Sequence, residues 1–267
     1  MATTAPVLDG FEKSTFSAQH QTHDVYRLGS GPAIVVIHEV PGITPLVAAF
    51  ARKVAAAGFT AVLPNLFGTP GEEITIPYAV KSMLHGCVSR EFVMFATATT
   101  SPVTQYLRAL ANHEHAACGG PGVGAVGMCL TGGFALAMSV DDVMLAPVLS
   151  QPSMPLPIGA SRRRDLGISD ADLTTVKRRV QEGLCVMGLR FTGDKAAPAE
   201  RFERLRTELG DNFIGVEIDS SEGNPWGYRK AAHSVLTEDY SDAPGSPTRQ
   251  ALEEVLAFFT ARLKSES

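Results

Sequence analysis

The chain has 267 residues, 45% of them apolar and 19% charged, which suits a globular protein with a large core. That length is one that α/β enzymes often reach as a single domain, here 1–267. A formal net charge of −5 leaves no basic footprint for nucleic acid, and the short clusters at 162–164 and 177–179 read as solvated surface.

No apolar run reaches the roughly 18 residues needed to span a bilayer, and the start of the chain does not read as a secretory signal. Four cysteines (Cys87, Cys118, Cys129 and Cys185) are scattered with no Cys-x-x-Cys pair. That usage suits reduced thiols in the cytoplasm better than a disulfide framework or a zinc site.

The first thirty residues are polar and fit one or two leading strands, with 24–28 the better candidate. Residues 33–37 (Ala-Ile-Val-Val-Ile) are a continuous apolar run, as in strands buried on both faces. After a Pro41-Gly42 turn, 46–57 is helical and stops at Gly58, and 60–63 is a second buried strand. Helix is expected over 103–110, strand over 122–127, helix over 134–138 and strand over 143–149. Strand at 184–191, helix at 198–209 and strand at 213–218 follow. In the last helix Ser246 is the expected N-cap and Pro247 its first turn, with Leu252, Val255, Leu256, Phe259 and Leu263 on one face. Apolar strands alternating with helices predict an α/β fold, a mostly parallel sheet covered on both faces.

Two long connections, 68–100 and 151–183, break this rhythm. Connections of that length are usually lids or small added helices. Both follow the C-terminal ends of expected strands, where open α/β sheets bind ligands, so both are candidate walls of a substrate pocket.

The segment Gly124-Ala-Val-Gly-Met-Cys-Leu-Thr-Gly-Gly133 matches the nucleophile elbow of α/β-hydrolases, with cysteine in place of the usual serine. A strand must turn sharply into a helix there, and Gly127 leaves room for it. Cys129 then stands at a helix N-terminus, where the dipole favours thiolate. The pattern departs at Thr131, where glycine is usual. Asp194, in Arg190-Phe-Thr-Gly-Asp-Lys195, and His233, in Ala231-Ala-His-Ser-Val235, follow in the chain order this fold uses for acid and base. Asp194 would orient the imidazole, and His233 would take the thiol proton and return it to a leaving group. Taken singly, Cys129 reads equally well as a buried structural cysteine, Asp194 as a turn residue and His233 as a loop histidine. Three such residues in this order favour a triad.

From about Gly31 to Phe259 the sequence resembles the dienelactone hydrolase family. The resemblance rests on Ile37-His-Glu-Val-Pro-Gly42, Gly127-Met-Cys-Leu, Gly193-Asp194 and His233. It implies an α/β-hydrolase fold and a lactone or carboxylic ester hydrolase that works through an acyl-enzyme. It also implies that Glu39 sits beside the thiol and holds it in check until substrate arrives, because a carboxylate there opposes a second negative charge. The alternative is that Glu39 only hydrogen-bonds local backbone. Backbone N–H groups of Leu130 and Val40 would form the oxyanion hole. The family binds its substrate carboxylate with arginines. One belongs four residues after the histidine, where this chain has Thr237; for the other, Arg90 and Lys81 are candidates. A missing guanidinium removes a bidentate clamp and points to a more neutral ester, lactone or thioester.

No metal or organic cofactor is called for. His113-Glu-His115 with Cys118 does not make a metal site, since residues two apart do not share a helix face. His38 and His85 lack any paired pattern, and Gly119–Gly124 precedes a strand rather than following one, unlike a phosphate loop. Two alternatives remain: a thioesterase on the same triad, and a non-catalytic hydrolase fold that binds a ligand or senses redox through Cys129.

Overall fold

The computed structural model describes residues 6–72, 101–154 and 159–264. Within them the strands are Glu12–Ala18 (β1), Gln21–Gly29 (β2), Ala33–Ile37 (β3), Thr60–Pro64 (β4), Val123–Met128 (β5), Met144–Ser150 (β6), Val186–Phe191 (β7) and Phe213–Ile218 (β8). They form one eight-stranded sheet in the order β1-β2-β4-β3-β5-β6-β7-β8. β1 pairs antiparallel with β2 and β2 with β4, while every pair from β4 across to β8 is parallel.

The central strands are apolar throughout because both sheet faces are covered. β3, β4, β5 and β7 are buried along their whole length. Side chains alternate across a strand, so neighbours in one strand serve different cores. Val35 and Ile37 join the core with Tyr106 of the helix Pro102–Cys118 (α2), Phe134 of Gly132–Met138 (α3), and Val176 and Phe202 farther on. Ile34 and Val36 point the other way, toward Phe50 of Pro45–Ala56 (α1) and Phe259 of the C-terminal helix Pro247–Leu263. The sheet is mostly parallel with helices on both faces, as the alternation of elements predicts.

Register decides where function can lie. Ile37 stands opposite Gly127, Gly127 opposite Leu149, and Leu149 opposite Gly188. The C-terminal ends of β3, β5, β6 and β7 are therefore level, and residues just beyond them emerge along one edge.

The leading segment and the connection 151–183 take forms the sequence allows, whereas Arg179 and Ser246 depart from expectation. β1 is a full strand, paired with β2 as a hairpin. The connection 151–183 carries two helices among its described residues, Ala160–Arg164 (α4) and Asp170–Gln181 (α5). Ser169 caps α5, accepting the Asp172 N–H at 3.1 Å, and Asp170 and Asp172 suit the positive end of its dipole. The helix was hard to see because only Leu173, Val176 and Val180 supply its apolar stripe. Arg179 does not belong to a solvated surface. It is buried, and its guanidinium donates to the carbonyls of Ser139, Asp141, Asp142 and Met144, around the C-terminus of α3. The other α-helices among the described residues are Ala199–Leu209 (α6) and Pro247–Leu263 (α7). Ser246 precedes α7, but its hydroxyl pairs with those of Tyr228 and Thr248 rather than capping the helix. Among the described residues no helix is long and apolar enough to cross a membrane.

Candidate active site

β5 ends at Met128, and Cys129 opens a short 3-10 turn that runs directly into α3. The turn is sharp: Cys129 has φ +56°, a left-handed conformation uncommon for a residue with a side chain. A Cβ at position 127 would lie 2.2 Å from the carbonyl oxygen of Thr131, so only glycine permits the turn. Thr131 explains the departure from the usual pattern. Its hydroxyl accepts the Met128 N–H at 2.9 Å and lies 2.9 Å from the Ile37 carbonyl oxygen, docking the elbow against the end of β3. The segment after β6 closes over the same turn, with the Ser153 N–H donating to the Cys129 carbonyl at 2.9 Å.

Asp194 follows β7 in a tight turn and is buried. Its Oδ2 accepts from His233 Nδ1 at 2.6 Å and its Oδ1 accepts the Ala196 N–H at 2.8 Å. Burial works against ionisation of Asp194, but the hydrogen bond and charge of His233, with the N–H groups of Ala196 and Ala197, hold it below the usual carboxylate range. Two buried arginines shape this loop. Arg190 donates to the carbonyls of Thr192 and Ala197, and Arg201 to those of Ala196 and Pro152.

His233 is half-buried in the connection between β8 and α7, and its N–H donates to Asp239 Oδ2 at 2.8 Å. Cys129 also acts electrostatically on the imidazole. Burial opposes a charge on the ring. Cys129 and Asp194 outweigh it and raise the imidazole pKa well above 6.5. Cys129, Asp194 and His233 follow the C-terminal ends of β5, β7 and β8 of the one sheet.

Glu39 lies two residues beyond β3 and is buried. Its Oε2 accepts from Ser234 Oγ at 2.8 Å and from Gln151 Nε2 at 3.1 Å, and Oε1 accepts from the hydroxyl of Thr237. Among the described residues none of its hydrogen bonds goes to Cys129. Nor does the carboxylate serve local backbone: the chain brings three polar side chains to it. Thr237, where the family resemblance leads one to expect an arginine, is one of them.

Sequence reasoning missed Gln151. It is fully buried just past β6 with φ +36°, and its Oε1 accepts the Val235 N–H at 3.3 Å while its amide nitrogen holds Glu39. Ser234 was within reach of inference from its place beside His233; nothing in the sequence marks Gln151. Leu130 and Val40, the expected oxyanion donors, directly follow Cys129 and Glu39 in the sequence. Arg90, Lys81 and His85, and most of the connection 68–100, lie outside the described residues. Among the described residues no group of three or more His, Cys, Asp or Glu side chains could hold a metal ion. Chemically, a sulfur on a strained turn, an imidazole poised to exchange its proton and a carboxylate behind the imidazole are suited to nucleophilic attack and proton return.

The search of curated proteins finds no match. Solved structures do match. A Klebsiella pneumoniae protein provisionally described as a dienelactone hydrolase has 18% identity and a TM-score of 0.64, over 94% of this chain and 98% of that one. A dienelactone hydrolase from Anabaena variabilis has 15% identity and a TM-score of 0.61, over 96% and 100%. A dienelactone hydrolase-like promiscuous phosphotriesterase from metagenomic libraries has 15% identity and a TM-score of 0.61, over 95% and 98%. Likeness at these identities establishes the α/β-hydrolase fold alone. The sequence model of the dienelactone hydrolase family goes further, matching residues 21–263, and the chain therefore belongs to the dienelactone hydrolase family.

Proposed function

We propose that this protein hydrolyses a small carboxylic ester or lactone through an acyl-enzyme on Cys129. The observation that carries the proposal is the His233 imidazole. It lies 2.6 Å from Asp194, and Cys129, on its strained turn, is close enough to raise the imidazole pKa. The sulfur bonds to the carbonyl carbon, and the developing oxyanion takes hydrogen bonds from the N–H groups of Leu130 and Val40. Collapse of the tetrahedral intermediate breaks the bond to the alkoxide, which takes its proton from His233. His233 then removes a proton from water, which attacks the thioester and frees the acid. Asp194 holds the imidazole in orientation and stabilises its charge.

Membership in the family supports a small-molecule substrate. Thr237 spends its hydroxyl on Glu39, which supports a substrate without a free carboxylate at that position. The helices α4 and α5 belong to a wall of the substrate pocket in this proposal, since their segment begins over the elbow at Ser153. Free thiols at Cys118, Cys129 and Cys185 support a reducing compartment such as the cytoplasm.

The test is incubation with an activated ester and mass spectrometry of the acylated protein. Acyl-Cys129 and an inert Cys129→Ala protein are expected. An active Cys129→Ala protein removes the nucleophile from the proposal. A wild type inert toward a panel of esters, lactones and thioesters, with and without a carboxylate, points to a binding protein instead.

A further inference from the structure

A peptide unit is planar, so whatever fixes a carbonyl also aims the N–H on the far side of the same bond. The peptide joining Glu39 to Val40 carries one of the two N–H groups assigned above to the oxyanion. Its carbonyl, that of Glu39, accepts the Gly42 N–H at 2.9 Å and lies 3.1 Å from His38 Nδ1. Which nitrogen of His38 bears the proton follows from the other contact. The Leu66 N–H points at His38 Nε2 at 3.1 Å and can only donate, so Nε2 presents a lone pair. The proton is then on Nδ1, and the ring donates to the Glu39 carbonyl.

The rest of the surroundings keeps that ring in place. His38 is wholly buried, and burial lowers its pKa to about 4, which keeps the ring neutral in the tautomer described. The Phe67 ring meets it nearly edge-on at 4.5 Å. The carbonyl of His38 itself lies 3.2 Å from Thr131 Oγ1, so the same stretch of backbone is docked on the elbow that carries Cys129.

From this geometry we infer that His38 is a positioning residue for the oxyanion hole: its Nδ1–H holds the Glu39 carbonyl and thereby aims the Val40 N–H. The inference rests on the acyl transfer proposed above. A strut that merely joined β3 to the segment after β4 would influence folding and every property of the site alike. An aiming role affects steps that create an oxyanion and spares those that do not.

Two reagents separate these possibilities. Iodoacetamide alkylates the Cys129 sulfur with loss of iodide and creates no oxyanion. Trifluoroacetone adds the same sulfur to its carbonyl, giving a hemithioketal whose oxygen must sit in the hole, and fluorine NMR reads the bound adduct. In His38→Leu, which removes both ring contacts, adduct affinity and kcat are expected to fall together about 10- to 100-fold, less than the ~10²–10³ for outright loss of one donor. Alkylation is expected to stay within about twofold of wild type. His38→Asn retains a donor near the Nδ1 position and is expected to recover most of the loss, whereas His38→Gln, reaching the Nε2 position instead, is not. If His38→Leu does not fold, the Asn and Gln proteins alone decide, and equal behaviour of those two overturns the inference. Equal losses in alkylation and adduct formation, or unchanged kcat and adduct affinity, also overturn it. A wild type that forms neither adduct on Cys129 overturns the underlying acyl transfer, and the role of His38 with it.

Discussion

Ser234 donates its hydroxyl to Glu39 Oε2 at 2.8 Å, tying the neighbour of His233 to a residue 195 positions earlier. With Gln151 and Thr237 it completes a cradle made of neutral donors, in which a carboxylate is the fitting acceptor.

Glu39→Gln tests that cradle. An amide in place of the carboxylate turns an NH2 toward groups that already donate. Gln151 cannot simply flip to accept, because its Oε1 already takes the Val235 N–H. One buried donor is left without a partner, which costs about 1–3 kcal/mol. Urea unfolding is expected to register a loss of that order. If Glu39 also restrains the thiol through its charge, iodoacetamide alkylates Cys129 faster in the variant. Unchanged thiol reactivity and turnover would remove Glu39 from the proposed mechanism.

Gly193 controls how closely the aspartate and histidine loops approach. A Cβ there would stand 2.3 Å from the Lys230 carbonyl oxygen and 2.9 Å from Ser220 Oγ. The first contact is backbone and cannot swing away, so Gly193→Ala must part the loops. A shift of about 1 Å in a catalytic group costs on the order of 10² in rate. We expect kcat to drop by about that factor, with circular dichroism unchanged and the Asp194–His233 hydrogen bond weakened in the imidazole proton spectrum. Full activity in the alanine variant would mean that the 2.6 Å contact is not needed.

The central strands were legible because burial on both faces forces apolar runs, and β3 and β8 have the bounds the sequence suggests. The positions of Cys129, Asp194 and His233 were legible for a different reason: strand ends and tight turns fix where they emerge. α5 was not, because its apolar stripe is thin and its polar face is long. Glu39 was recognised as unusual, but not its surroundings. Its partners come from the ends of other elements, and the backbone twist that aims Gln151 leaves no trace in residue type. Arg179 misled for a related reason, since a cationic run looks alike whether it meets solvent or the carbonyls at the end of a helix.

Cys129 is among the groups that raise the pKa of His233. Burial disfavours charge on the ring, and the charge and hydrogen bond of Cys129 are among the causes that raise its pKa. In Cys129→Ala those contributions vanish while those of Asp194 remain, so the midpoint is expected to move down. An NMR titration of the histidine ring in both proteins measures it. Identical midpoints would indicate that thiol and imidazole are not coupled, and the proton transfer between them would have to be abandoned.

His38 makes the fold itself sensitive to acid, with a definite sign. Its folded pKa is about 4, below the roughly 6.5 of an unfolded histidine. Between those values the unfolded chain binds the extra proton and the folded one does not. The stabilisation is therefore complete above pH 6.5 and disappears as pH falls toward 4. A gap of about 2.5 units corresponds to roughly 3 kcal/mol. His23 is a nearby second histidine whose charge also lowers the pKa of His38, so it must be left unchanged in the comparison. Urea unfolding of wild type and His38→Asn at pH 7.5 and 4.5 isolates the effect, because Asp194 and every other titrating group are common to both. The wild type is expected to lose about 2–3 kcal/mol more than the variant over that interval. Parallel losses would mean that His38 is already protonated in the folded protein, which the Leu66 N–H directed at Nε2 forbids in this geometry.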